Sequence, residues 1–371
     1  MARQPDNDVL PVQALAIIVW NALADINFLT APRDIAQAAG RDGWLAVVLA
    51  FGFVAVAAWL PVRICQRFPG MSLVEISQYL LGRVAGGLLT VLYISYWVVI
   101  AAFVLHVESN LITTTLLMET PGWVLTAYFV LVSTYLVWHG LEPMARMFLF
   151  FVPLYLLPLG ALMLPVFVDA ELGRLLPVFN GDTEGLVRGT WLTFAHGFGI
   201  SVVWMVMPHL RPTKRAGRAA LAGVAFVALP AIALTAVILA VLGPEEVAAQ
   251  TYPTLLLFEM IEVPGFMGFR LDPLFLVVWL AMAFSTVALL QYAAASATGR
   301  LLGLASNRWL AVGFGAVLAM LGAWPVKQMD LILWSQERIP WAVTVTALGL
   351  PLVLFVLGHL RRPPATGRRP G

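Results

Sequence analysis

Charge is what this sequence has least of. Only 11% of its 371 residues are Asp, Glu, Lys or Arg, 61% are hydrophobic, and the mean hydropathy is +0.88. A soluble domain carries about a quarter of its residues charged to face water. A water-soluble globule is therefore excluded and an integral membrane protein is implied. The single cysteine, Cys65, rules out an internal disulfide and a cysteine cluster for zinc or iron and sulfur. Five histidines scattered singly give no metal site, and no cofactor motif is present. A glycine-rich phosphate loop, a GxSxG elbow and an HExxH pair are all missing, which argues against an enzyme. No basic surface exists beyond short loops, so nucleic acid is not an expected partner. The rings of like charge and repeated filter segments of a channel are absent too.

Long apolar runs are what the sequence does have. About 20 apolar residues cross the roughly 30 Å hydrocarbon layer as a helix, and ten stretches qualify. They are Leu10–Thr30, Trp44–Pro61, Leu88–Ile112, Gly122–Trp138, Met147–Val168, Thr190–Met207, Ala219–Leu242, Pro273–Leu290, Trp309–Pro325 and Trp341–Leu360. Short alternating strands do not occur, so an all-α membrane fold is expected. When the spans are laid out with both termini on one side, that side receives 15 of the 22 Lys and Arg, including Arg63, Arg67, Arg83, Lys214, Arg300 and Arg361. The other side receives 15 of the 20 acids. The positive-inside rule then predicts cytoplasmic termini and an even number of spans. Met1–Val9 is too weakly basic for a signal peptide, so span 1 is expected to stay in the protein. The chain thus reads as one transmembrane domain over 1–360 and a basic tail over 361–371 lying near anionic lipid headgroups.

Polar groups at membrane depth are costly and mark candidate sites. Asp25 lies near mid-span in Trp20-Asn21-Ala22-Leu23-Ala24-Asp25-Ile26-Asn27, with Pro32 following; Asn21 and Asp25, four apart, share a helix face. A polar cluster followed by proline is the pattern of an interrupted membrane helix. Span 6 carries a second interruption, His196-Gly197-Phe198-Gly199-Ile200-Ser201. Two interruptions five spans apart point to a five-plus-five inverted repeat in which broken helices 1 and 6 face each other. The cavity between them would be lined by Asn21, Ala24, Asp25 and Ile26 from one helix and Gly197, Gly199 and Ser201 from the other, with Tyr96 of span 3 beside them. Ser285 and Thr286 in span 8 are candidate cation ligands. His106 and Glu108, in the outer turns of span 3, read as solvated. The loop Gly243–Asp272 mixes Leu255, Leu256, Leu257 and Phe258 with Glu259 and Glu262, which suits a segment folded onto the protein at the outer interface.

Several segments carry a resemblance over almost the whole chain: Ala31-Pro32-Arg33, Ala38-Ala39-Gly40-Arg41-Asp42-Gly43-Trp44, Arg67-Phe68-Pro69-Gly70, Thr120-Pro121-Gly122-Trp123, Tyr252-Pro253-Thr254 and Phe269-Arg270-Leu271-Asp272. In their order and spacing they resemble the spore germination permeases, the B subunits of bacterial nutrient germinant receptors, within the amino acid/polyamine/organocation transporter superfamily. The resemblance implies ten helices with helices 1 and 6 broken at a ligand site, and a nutrient such as an amino acid sensed in the inner spore membrane. It also implies A-type and C-type receptor subunits as partners. Family members carry an acid two residues after the span 6 glycine, where this chain has Ser201, and a glycine in span 1, where it has Ala24 and Asp25. The alternative function is a cation-coupled amino-acid permease.

Overall fold

The computed structural model describes residues 9–24, 29–179, 181–260 and 272–361. Its helices are α1 (Gln13–Leu23), α2 (Ala31–Ala39), α3 (Gly43–Arg67), α4 (Leu73–Leu81), α5 (Arg83–Thr115), α6 (Gly122–His139), α7 (Leu141–Asp169), α8 (Thr183–Ala195), α9 (Val203–Val206) and α10 (Ala216–Leu242). They continue with α11 (Pro244–Ala249), α12 (Pro253–Glu259), α13 (Asp272–Leu301), α14 (Arg308–Gly322), α15 (Gln328–Val343) and α16 (Leu350–Leu360). Two short strands, β1 (Leu10–Pro11) and β2 (Leu210–Arg211), pair in parallel. Among the described residues seven helices are long and apolar enough to cross a membrane; Thr183–Ala195 and Phe198–His209 form an eighth span bent by 44°, and α1 and α14 are shorter apolar helices. Each of the ten apolar runs falls on one of these elements, and the chain is a multi-pass membrane protein.

Local chemistry sets the joints. Gly82 and Gly140 have φ of +90° and +94°, the left-handed region that side chains disfavour, and each ends one helix while starting the next. Ser72 caps α4: its hydroxyl accepts the Val74 amide at 3.2 Å, and its own amide donates to Glu75 at 2.7 Å. α4 is an element the apolar runs do not announce, because it is nine residues long and carries Glu75, Ser77 and Gln78 among its apolar residues. Two further boundaries differ from expectation. Span 1 does not end at Thr30 but resumes as α2, since Pro32 suits a helical first turn and the face of Ile35, Ala36 and Ala39 is buried. The last span starts at Gln328 rather than Trp341 and passes through a π-helical turn, Thr344–Gly349, before α16.

Contacts between loops sort them as ten crossings require. β1 precedes span 1 and β2 follows span 6, yet they pair. Gln66 donates to the Thr213 carbonyl at 2.8 Å, Arg300 reaches Glu75 at 3.2 Å, and Arg361 donates to the Tyr79 carbonyl at 3.0 Å, all at the same end of the bundle. At the opposite end Arg41 donates to the Leu176 carbonyl, Asp42 accepts the Phe179 amide, Gln37 donates to Ala248 and Arg174 to Val241. The first end is the basic one. The 243–272 connection folds back onto the protein as far as it is described, with Val247, Leu255, Leu257 and Phe258 buried; residues 261–271 lie outside the described residues.

The outer shell of the bundle is apolar: Tyr128, Leu131, Phe150, Leu157, Leu352 and Val353 are exposed, as a lipid-facing surface demands. The interior is formed by α1, the bent span 6, the middle of α5 and α13, where Trp20, Trp97, Trp279 and Tyr292 are all fully buried.

Candidate functional site

Both interruptions exist and they abut. α1 stops at Leu23, with the Ala24 amide bonded back to the Trp20 carbonyl, and the helix resumes at Ala31. Asp25 and Ile26, the proposed centre of the span 1 break, lie outside the described residues. In span 6, α8 gives way at His196 and Gly197 to a 3₁₀ turn, Phe198–Val202, before α9. The turn is seated on span 1 because Gly199 has no side chain: a Cβ there would collide with the Ala22 carbonyl oxygen. Gly197 likewise sits close to Val54 and Leu23.

The remaining predicted residues converge on this junction. Asn21 is fully buried; its Oδ1 accepts the Ser285 hydroxyl at 2.9 Å, its Nδ2 donates to the Ile17 carbonyl at 3.1 Å, and its own carbonyl accepts Thr286 at 3.3 Å. Tyr96 donates its hydroxyl to the Phe198 carbonyl at 2.8 Å, and the Trp97 indole donates to Ser201 at 2.8 Å. Spans 1, 3, 6 and 8 are thereby pinned at one level by hydrogen bonds that satisfy the backbone groups freed by the breaks. In this knot Asn21, Ala24, Ser201, Ser285 and Thr286 are all buried, and a Cβ at Gly199 would meet the Ala22 backbone.

Open space begins one residue away. A cavity of about 340 Å³ lies on the outer side of the knot and reaches Thr30 at the first break and Phe198 at the second. Its walls come from α2 (Arg33, Asp34), α5 (Phe103, His106, Asn110), α8 (Leu192, His196) and α15 (Gln336, Ile339), with Tyr252 and Trp324 from outer connections. Asp34 and His196, 162 positions apart in sequence, are a titratable pair beside the breaks. The His196 Nε2 stands 3.8 Å from Asp34 Oδ2, with side chains 13% and 15% exposed. Gln336 donates to Asp34 Oδ1 at 2.8 Å, and His196 Nδ1–H donates to the Leu192 carbonyl at 3.0 Å, which leaves Nε2 facing the carboxylate. Asp34 thus ties both broken helices to α15. It lies beyond Thr30, where the apolar run of span 1 ends, so hydropathy alone does not mark it.

Glu108 corrects a second expectation. It is fully buried, not solvated, and both carboxylate oxygens lie within 2.9–3.0 Å of the Trp279 indole nitrogen, which donates to them. α5 runs for 33 residues, so its outer turns are covered by α13 and by the folded 243–260 connection before they reach water. His106 is half-buried, on the cavity wall, with its ring between the Ala102 and Trp324 carbonyls. Among the described residues no group of three or more His, Cys, Asp or Glu is placed to hold a metal ion.

Comparison with known proteins bears on this arrangement. A sequence family described as "Spore germination protein" matches residues 9–330. Spore germination protein YndE of Bacillus subtilis (strain 168) is 25% identical over 361 residues, covering 96% of this chain and 98% of that one. Spore germination protein KB of the same organism is 30% identical over 267 residues, 71% of each chain. Among solved structures, MhsT in complex with L-phenylalanine superposes with a TM-score of 0.66 at 12% identity, over 94% of this chain and 97% of that one. Mhp1, a nucleobase-cation-symport-1 family transporter closed around bromovinylhydantoin, gives 0.62 at 15%, over 95% and 79%. At these identities the structural likeness is one of fold alone.

Proposed function

Because this chain belongs to the spore germination protein family, we propose that it is the membrane subunit of a nutrient germinant receptor. It binds a small nutrient between its broken helices and passes the signal to A-type and C-type partner subunits. The observation that carries this reading is the outer cavity, which touches both breaks and is bounded by both half-helices that follow or precede them. A ligand there contacts α2, α8 and α15 at once, so its presence or absence changes how span 1 and span 6 sit against the rest of the bundle. The work is binding rather than catalysis. MhsT, bound to L-phenylalanine, supports an amino acid as the nutrient class. The basic end of the bundle and both termini face the cytoplasm, in the cell membrane or the inner membrane of the spore.

The test uses spores. Ser335, on the cavity wall, is replaced by Trp to fill the space, and Leu333, exposed on the same helix, is replaced by Trp as a control. Spores carrying Ser335→Trp should lose nutrient-triggered germination and keep germination by a stimulus that bypasses receptors; Leu333→Trp spores should keep both. Normal nutrient response in Ser335→Trp spores would refute the assignment.

A second reading has its own observation. Asn21 Oδ1, the Asn21 carbonyl, Ser285 Oγ and Thr286 Oγ1 cluster at the junction, oxygen ligands of the kind a hard cation takes. A cation-coupled permease would show sodium-dependent or proton-dependent amino-acid uptake in proteoliposomes; a receptor subunit would not.

A further inference from the structure

Arg33, Asp34, His106 and His196 line the outer cavity, and the last three have partners. Asp34 takes Gln336 and faces His196, while His106 and His196 each bond to carbonyls. Arg33 is different. It is half-buried in the first turn of α2, its Nε is enclosed by protein, and that nitrogen has no hydrogen-bond partner. Its guanidinium makes no hydrogen bond or ion pair among the described residues. A buried N–H without an acceptor is costly, and native structures keep such groups where something else supplies the acceptor; in Arg33 this is the Nε. Much of the remaining wall is apolar, with Phe103, Trp123, Leu192 and Ile339 on it.

We infer that Arg33 is the carboxylate anchor of the bound nutrient, that Asp34 receives its ammonium group, and that the cavity therefore selects an α-amino acid with an apolar side chain. The inference rests on the reading that this cavity is the nutrient site. The guanidinium presents parallel N–H donors that match a carboxylate's two oxygens. Asp34, one residue on, holds a single side-chain hydrogen bond, from Gln336, so its carboxylate retains acceptor capacity for an ammonium. Opposite charges on successive residues of α2 suit a ligand whose own opposite charges share one carbon. A sugar or nucleoside offers Arg33 neutral acceptors but neither a carboxylate for its fork nor an ammonium for Asp34, and an inorganic anion satisfies Arg33 without using Asp34.

The experiment reads thermal stabilisation of the purified full-length protein in detergent, since a ligand that binds only the folded state raises its stability. Each of the twenty protein amino acids is added in turn. The strongest is then compared with its carboxamide, with the amine formed by removing its carboxyl group, and with chloride alone. An apolar amino acid should lead, and its carboxamide and amine should need about tenfold or more higher concentration for half-maximal effect. In Arg33→Gln the amino acid and its carboxamide should become equal. Arg33→Lys, which keeps the charge without the fork, should lie between, and it decides the matter if Arg33→Gln does not survive purification. Unchanged discrimination in both variants, or chloride matching the amino acid, would overturn the inference while leaving the nutrient site intact. Stabilisation of the native chain by none of the twenty would overturn the nutrient reading and this inference together.

Discussion

A methyl group at Gly199 would meet the Ala22 carbonyl, and so the smallest possible substitution tests how the broken helices are joined. Gly199→Ala must push span 6 off span 1 or distort the 3₁₀ turn, at an expected cost of about 1–3 kcal/mol. Gly217→Ala, where a Cβ meets open space, should cost nothing measurable. Equal thermal stability of the two variants in detergent would show that the junction is looser than described. The sequence marks Gly199 as special, and the structure places the Ala22 backbone where its side chain would be; a glycine's identity alone does not say what occupies that space. Glu108 was misread for a similar reason: the protein that covers it comes from Trp279, 171 positions on, and no local pattern carries that information.

Among the elements, the least legible were those defined by partners rather than by composition. The apolar runs fall on all the long helices, since crossing hydrocarbon demands length and hydrophobicity that nothing else in the chain shares. They stop short where a helix continues past the apolar stretch: α13 runs on to Leu301 and the last span begins at Gln328. The second half of span 1 escaped that logic: α2 contains Pro32, Arg33, Asp34 and Gln37, and its burial depends on α8 and α11 packed beside it. α4 escaped it too, although Ser72 and Glu75 at capping-box spacing signalled a helix start. This short helix latches the basic end. Burial pushes the Glu75 carboxyl up, but the Arg300 guanidinium and the Ser72 hydroxyl and amide outweigh it and hold the carboxyl below its ordinary value of 4.5. A carboxyl lowered in the fold adds stability that is present above its ordinary value and is lost as pH falls through the folded one. The native protein should therefore lose thermal stability on acidification below about pH 4.5, and Glu75→Gln should flatten that part of the profile. The same acid dependence in both would remove Glu75 from the latch.

For the whole molecule, loops sort to two ends, and the excess of Lys and Arg at one of them leads the positive-inside rule to predict that this end meets the cytoplasm. Cys65 is buried, so cysteines introduced at exposed positions report alone. A membrane-impermeant maleimide applied to intact cells should label Thr183→Cys and leave Lys214→Cys untouched; the reverse pattern would invert the protein and put the cavity on the wrong side for an external nutrient. With that orientation, everything said of signalling depends on one property, a saturable site in the cavity between the broken helices. It is measured by equilibrium binding of radiolabelled amino acids to the purified protein and to its Ser335→Trp and Leu333→Trp variants. One amino acid bound per chain in the native protein and in Leu333→Trp, with none bound in Ser335→Trp, is the predicted result. Saturable binding that survives intact in Ser335→Trp, or no saturable binding to the native chain at all, would contradict it.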